Sequence, residues 1–115
     1  MTTTQIIRHE DELNPLQRKL VDAVRSIPKG HWSSWGDIGE MVGIGARQVA
    51  NELMNIDGWM YPSFRIRMAD GSYTEPDFVT GYCWVTHMRE AALREEGCRV
   101  RDGVAPSFYR WKPVG

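Results

Sequence analysis

A glycine-containing break at residues 43–45 lies between two segments with helical spacing, and it constrains the fold more than any other stretch of this sequence. Before the break, Ser34 and Asp37 have the spacing of a capping box, which marks the start of a helix. After the break, apolar residues recur at the spacing of one helix face, namely Ala46, Val49, Ala50 and Leu53. Two short helices joined by a glycine-containing turn form a helix-turn-helix. The sequence therefore predicts this motif, with its second helix running from Ala46 to Asn55.

The opposite side of the predicted second helix carries Arg47, Gln48 and Asn51. One charged and two amide side chains are the chemistry that proteins use to contact phosphates and base edges. The same composition is also common on solvated faces of surface helices. The helix by itself therefore leaves both interpretations open, a DNA-reading face and a merely solvated one.

Further elements are predicted on both sides of this motif. Asn14 followed by Pro15 predicts the start of a first helix, because asparagine caps free amides and proline suits the first helical position. This helix should end near Ile27, since Pro28 disfavours helix in the residue before it. Its apolar face is Leu16, Leu20, Val21, Val24 and Ile27.

After the motif, Phe64 to Met68 is predicted as a strand, and Asp70 with Gly71 as a turn, which together suggest a wing. Residues 71–83 are predicted to form a long ordered loop. A last helix is predicted from His87 to Glu96, followed by a strand at Arg99 and Val100. The apolar tail, Phe108, Tyr109 and Trp111, is expected to pack back on the domain.

The predicted fold class is α+β, mainly α, a winged helix-turn-helix single domain with a short β wing. Residues 1–13 are expected to form a flexible N-terminal arm, and residues 14–115 to form the domain. The chain has 115 residues, 42% hydrophobic and 25% charged, as in ordinary globular domains. It has neither a long apolar run nor a charged start followed by an apolar stretch. We expect a cytoplasmic monomer with no membrane partner and no cofactor.

The net charge of −1 argues mildly against nucleic acid, because non-specific affinity comes chiefly from neutralising phosphates. The distribution of cations in the first two-thirds of the chain still permits one basic face, formed by Lys29, His31, Arg47, Arg65 and Arg67. Cys83 and His87 could offer two metal ligands, but a site usually needs four. We therefore expect no metal, and buried free thiols at Cys83 and Cys98.

Short motifs in the chain resemble the DNA-binding domain of O6-alkylguanine-DNA alkyltransferases, and more closely their alkyltransferase-like relatives. They are IPKG at 27–30, WGDI at 35–38, ARQV at 46–49, PSFRI at 62–66, Glu96 with Gly97, and YRWKP at 109–113. They occur in the order and spacing of the family and cover about residues 15 to 113. The resemblance implies a protein that binds double-stranded DNA containing O6-alkylguanine.

Carried over from the resemblance, the ARQV helix enters the minor groove and Arg47 fills the gap left by a flipped guanine. Extruding a base costs a few kcal/mol of stacking, which a planar guanidinium can partly replace. Gln48 and Asn51 would line the same surface. Trp35 would lie near the phosphate of the flipped nucleotide, where the family generally has a tyrosine. The base pocket would include Pro62, Ser63, Phe64 and Arg65.

The resemblance also implies that alkyl transfer is absent. The family's acceptor cysteine position holds Ser63, and the activating histidine position holds Phe64. A serine hydroxyl is a poor nucleophile unless an adjacent base takes its proton, and phenylalanine cannot do so. Relatives without the cysteine bind alkylated guanine without repairing it and flag the lesion for repair proteins.

Two other interpretations stay open at this point. Near-neutral charge and the altered residues Trp35 and Ser63 would also suit an adaptor, a protein-interaction module or a plain DNA-binding regulator without lesion recognition. A hydrolase or transferase using Ser63 is the weakest alternative, because no histidine lies near it in sequence.

Overall fold

A computed structural model describes residues 6–57, 60–72 and 86–112, and the side chains of residues 86–89 lie outside that description. The elements are α1 (Pro15–Arg25), β1 (Ser33–Ser34), α2 (Trp35–Val42), α3 (Ala46–Leu53), β2 (Ile66–Arg67) and α4 (Thr86–Glu95). The two strands pair in parallel, Ser33 with Ile66 and Ser34 with Arg67. The predicted mainly helical α+β class is confirmed.

Helix α1 begins where the sequence predicts. The Asn14 side chain accepts a hydrogen bond from the Gln17 backbone amide at 2.8 Å, and the Gln17 side-chain oxygen accepts one from the Asn14 backbone amide at 3.0 Å. These bonds satisfy amides that the first turn of a helix leaves free. The face opposite solvent is buried at Leu20, Val21 and Val24.

The turn between α2 and α3 requires its glycines. Gly43 ends α2 with φ +83°, a left-handed conformation that glycine adopts without steric cost. The backbone amides of Gly43 and Ile44 both donate to Gly39 O, at 2.7 and 2.9 Å. A side chain at Gly39 would collide with the Ile44 carbonyl oxygen, only 2.3 Å from the ideal Cβ position. The helix-turn-helix is therefore tight because position 39 has no side chain.

Two hydrophobic clusters hold the described part of the chain together. The larger cluster joins α1, α2 and α3 through residues that include Leu20, Val24, Ile38, Val49, Leu53 and Ile56. The smaller cluster lies around Trp32 and contains Phe64, Leu93, Cys98, Val100 and Ala105. The tail returns to this region, as Trp32 N donates to Tyr109 O and Trp111 N donates to Trp32 O. Phe108, which was also expected to pack on the domain, is instead 84% exposed.

The structure corrects two predicted strands. Ser63–Arg65 form one turn of 3-10 helix, and only Ile66–Arg67 of the segment predicted from Phe64 to Met68 are strand. Arg99 and Val100 are not strand either. Instead, Arg101 pairs with Val104 across a tight turn. Both central residues of that turn have positive φ, Asp102 at 51° and Gly103 at 75°, which matches the twist of paired strands.

The segment predicted to be an arm is attached to the domain over its described part. Ile7 N donates to Asn55 O at 2.7 Å, and Asp57 N donates to Ile7 O at 2.8 Å. Glu10–Glu12 form one turn of 3-10 helix, and Leu13 is buried. Residues 1–5 lie outside the described residues, so their flexibility stays a prediction. Most of the loop predicted at 71–83 also lies outside the described residues. No helix in the described part of the chain has the length and apolarity of a membrane span.

Candidate nucleic-acid interface

Helix α3 presents the predicted polar face to solvent. Arg47, Gln48 and Asn51 are exposed, while Val49 and Leu53 are fully buried on the other side. Arg47 makes no hydrogen bond or ion pair with any described residue, so its guanidinium is available to a ligand.

The start of α3 differs from the predicted core face. Ala46 was expected to be buried, but both Gly45 and Ala46 are exposed, and only from Val49 onward does the helix reach the core. The first turn therefore projects beyond the packed part of the domain. Because these two residues have little or no side chain, another molecule can approach the backbone closely at this end.

Trp35 is the first residue of α2 and is half-buried against the larger hydrophobic cluster. The adjacent Ser34 caps the helix by accepting a hydrogen bond from Asp37 N, and Asp37 accepts one from Ser34 N, each at 3.0 Å. The predicted capping box is thus present. Contact between Trp35 and a DNA phosphate stays a prediction.

The segment predicted to form a base pocket is a buried 3-10 turn. Pro62 precedes the turn, and the exposed fractions of Ser63, Phe64 and Arg65 are 4%, 9% and 9%. Phe64 packs in the smaller hydrophobic cluster, with the Arg65 guanidinium 5.4 Å from its ring centre. The Ser63 hydroxyl has no hydrogen-bond partner among the described residues.

Arg65 fixes this turn through a buried ion pair. Its Nε donates to Glu96 Oε1 at 2.9 Å, its Nη2 donates to Glu96 Oε2, and its Nη1 donates to Ile27 O at 2.9 Å. Glu96 Oε1 also accepts from Gly30 N at 3.1 Å. Glu96 is the first residue after α4. Through these hydrogen bonds it connects the end of α4 to the turn before β1 and to the 3-10 turn that carries Ser63.

The structure removes two cations from the predicted basic face. Arg65 is paired as described, and Arg67 is completely buried, donating to Gly71 O at 2.6 Å and to Gly103 O at 2.9 Å. Both guanidiniums hold the fold together instead of meeting a ligand. Of the predicted cations, Lys29 and Arg47 are exposed and His31 is partly exposed.

A second ionic network behind α2 was not predicted from the sequence. Arg110 donates to Asp37 from Nε at 2.8 Å and from Nη2 at 3.0 Å, and Lys112 Nζ lies 3.4 Å from Asp37 Oδ1. Burial raises the pKa of Asp37, but the hydrogen bonds from Arg110 and Ser34 outweigh burial and lower this pKa to about 2. The tail thus clamps the start of the helix-turn-helix. Arg110 and Lys112 belong to the YRWKP motif found in the sequence, but the sequence does not show that Asp37 is their partner.

The described residues contain no group of three or more His, Cys, Asp or Glu side chains placed to hold a metal ion. Cys98 is buried without a disulfide partner, as expected, and burial raises the pKa of its thiol. Cys83 and the side chain of His87 lie outside the described residues.

Comparison with known proteins assigns this domain to a family. The architecture and its exposed α3 define a helix-turn-helix DNA-binding domain. The family model described as the DNA-binding domain of 6-O-methylguanine DNA methyltransferase matches residues 15–98, and the chain belongs to this family. No curated protein matches.

Solved structures refine the assignment. Schizosaccharomyces pombe Atl1, in a complex with damaged DNA containing O6-carboxymethylguanine, is 27% identical with a TM-score of 0.71, over 89% of this chain and 99% of Atl1. A second S. pombe ATL complex with DNA gives 27% and 0.67 over the same shares. Mycobacterium tuberculosis O6-methylguanine methyltransferase shares the fold at 23% identity and a TM-score of 0.56, over 79% of this chain and 53% of that enzyme. The winged helix-turn-helix class and the alkyltransferase-like resemblance are confirmed.

Proposed function

We propose that this chain is a non-enzymatic DNA-binding protein that recognises alkylated guanine by flipping the base out of the duplex and flags the lesion for repair proteins. The observation that carries the proposal is an exposed Arg47 on α3, which has no partner among the described residues, together with a buried segment at Ser63 and Phe64. By resemblance, these two residues occupy the positions of the family's nucleophile and its activating base. The likeness to Atl1, which was solved in complex with damaged DNA containing O6-carboxymethylguanine, supports the binding of alkylated DNA.

Arg47 is the residue proposed to enter the duplex. It lies within the first turn of α3, where Gly45 and Ala46 leave room for the sugar–phosphate backbone. A guanidinium is planar and can stack on the bases exposed by flipping, whereas an ammonium cannot. Gln48 and Asn51 are proposed to contact the same groove, and Trp35 the phosphate of the flipped nucleotide.

The pocket residues are proposed to recognise the base without reacting with it. Phe64 cannot take a proton, and Glu96 is engaged with Arg65 and Gly30. Ser63 therefore lacks the activated state that nucleophilic catalysis requires. Pro62 and Arg65 are proposed to shape the pocket wall.

The test is the dissociation constant of the purified protein for matched duplexes with one guanine or one O6-methylguanine at the same position. We expect tighter binding to the modified duplex. Arg47→Ala should weaken lesion binding by about tenfold or more, because the unstacking cost of a few kcal/mol is no longer offset. Arg47→Lys is the matched control for charge, and it should recover little of the loss.

Equal affinity for both duplexes would reject lesion recognition. In that case the adaptor or plain regulator interpretation would gain support, since the chain has a net charge of −1 and two of its arginines, Arg65 and Arg67, are internal. An unchanged dissociation constant for Arg47→Ala would remove this residue from its proposed role.

A further inference from the structure

The Ser63 hydroxyl is a buried polar group next to the proposed base pocket. Its residue is only 4% exposed, and both of its backbone groups are paired, since Ser63 N donates to Tyr61 O at 2.8 Å and Ile66 N donates to Ser63 O. The hydroxyl itself has no partner among the described residues. Buried polar atoms in folded proteins are nearly always satisfied, and an exception needs a reason.

The polar groups next to Ser63 are already engaged. The Tyr61 hydroxyl donates to Leu53 O at 3.2 Å, and the Arg65 guanidinium binds Glu96 and Ile27 O. Phe64 contributes only an apolar ring. Within the 61–65 turn, Ser63 is therefore the side chain that retains an unused donor and unused acceptors for a bound molecule.

We infer that Ser63 is a specificity-determining residue, whose hydroxyl hydrogen bonds to the O6 substituent of the bound guanine and favours substituents that carry oxygen atoms of their own. This inference rests on the proposed function. A serine hydroxyl donates one hydrogen bond and accepts two, so it can bind a carboxylate, hydroxyl or ether oxygen within the substituent, whereas a methyl substituent offers it no partner beyond O6 itself, which both lesions share.

The position of Ser63 determines which part of the base it meets. By resemblance, Ser63 occupies the position of the residue that accepts the alkyl group in active members of the family. An accepting atom must come close to the alkyl carbon at O6, so a hydroxyl at this position faces the substituent, not the sugar. A polar substituent enters a site that already contains an unsatisfied hydroxyl, and both groups gain a partner.

The experiment compares dissociation constants for duplexes with O6-methylguanine and with O6-carboxymethylguanine at the same position, for wild type and Ser63→Ala. We expect wild type to bind the carboxymethyl duplex more tightly than the methyl duplex. Ser63→Ala should reduce that preference about 3- to 10-fold, the value of one lost hydrogen bond, with little change for the methyl duplex. Ser33→Ala, at another buried serine, should leave the preference unchanged.

The outcomes separate this inference from the proposed function. A wild-type protein that binds both lesions better than guanine, with a preference that Ser63→Ala does not alter, overturns the role of Ser63 and leaves lesion recognition standing. If wild type binds neither lesion duplex more tightly than the unmodified guanine duplex, the proposed function is rejected, and the role of Ser63 with it.

Stability of the free protein gives a second readout that needs no DNA. Ser63→Ala removes a hydroxyl without a partner, so its urea midpoint should equal or exceed that of wild type. Ser33→Ala should lower the midpoint, because Ser33 Oγ donates to Trp111 O at 2.5 Å and the substitution removes this buried hydrogen bond. A fall for Ser63→Ala as large as that for Ser33→Ala would mean that the hydroxyl is already satisfied in the free protein and would overturn the inference.

Discussion

The ion pair between Arg65 and Glu96 holds the turn that carries Ser63, and Glu96→Ala is the change that removes it. Both side chains are nearly buried, with 11% and 12% exposed. Truncation leaves the Arg65 charge without its counter-ion and leaves Gly30 N without its acceptor. Breaking a buried pair from one side costs about 3–5 kcal/mol, a large part of the total stability of a domain of this size.

Urea unfolding monitored by tryptophan fluorescence measures this loss as a lower midpoint at an unchanged slope. Glu10→Ala is a matched control, because Glu10 pairs with Arg25 at the surface, where the two side chains are 51% and 41% exposed. Such a pair contributes at most about 1 kcal/mol.

A double variant, Arg65→Met with Glu96→Leu, distinguishes the effect of removing the charges from the effect of removing side-chain volume. It should lose less stability than the sum of the two single changes, because neither charge is then left buried alone. A loss below about 1 kcal/mol for Glu96→Ala would refute the reasoning, since it would mean that the pair is effectively solvated.

Two further predictions follow from the clamp behind α2 and from the wing. The folded-state pKa of Asp37 is about 2, below its ordinary 3.8, so the stabilisation from this carboxylate is complete above pH ~5 and is lost as the pH falls from ~4 towards 2. The stability difference between wild type and Asp37→Asn, about 1–2 kcal/mol at neutral pH, should therefore shrink in urea titrations at pH ~3, and a difference independent of pH would contradict the Arg110 contact. Gly71 has φ +90°, and its ideal Cβ would lie 2.1 Å from Ala105 O. Gly71→Ala should therefore lower the free energy of unfolding by more than about 1 kcal/mol. An unchanged melting temperature would show that the wing does not pack as described.

Local features of the fold could be predicted from the sequence because their causes lie within a few residues. The asparagine cap at Asn14, the capping box at Ser34 and the glycine turn at 43–45 each depend on residues within a few positions of one another. The amphipathic face of α3 follows from periodicity, although Ala46 shows that periodicity does not tell how far a core extends along a helix.

The rest depends on partners that are distant in the chain. Arg65 and Arg67 look like surface cations until Glu96 and Gly103 are brought beside them, more than thirty residues away. The predicted strand from Phe64 fails for the same reason, since its first residues turn so that Arg65 can reach Glu96. The Asp102–Gly103 hairpin is different, because this dipeptide is a turn signal that was present in the sequence.

The central claim is that this protein recognises alkylated guanine and leaves it unchanged. Native mass spectrometry of the protein mixed with equal amounts of an O6-methylguanine duplex and the unmodified duplex tests both parts in one measurement. The account predicts complexes mainly with the modified duplex, and a protein whose mass is unchanged after release. Equal occupancy of the two duplexes, or a protein heavier by one transferred methyl group, would contradict it.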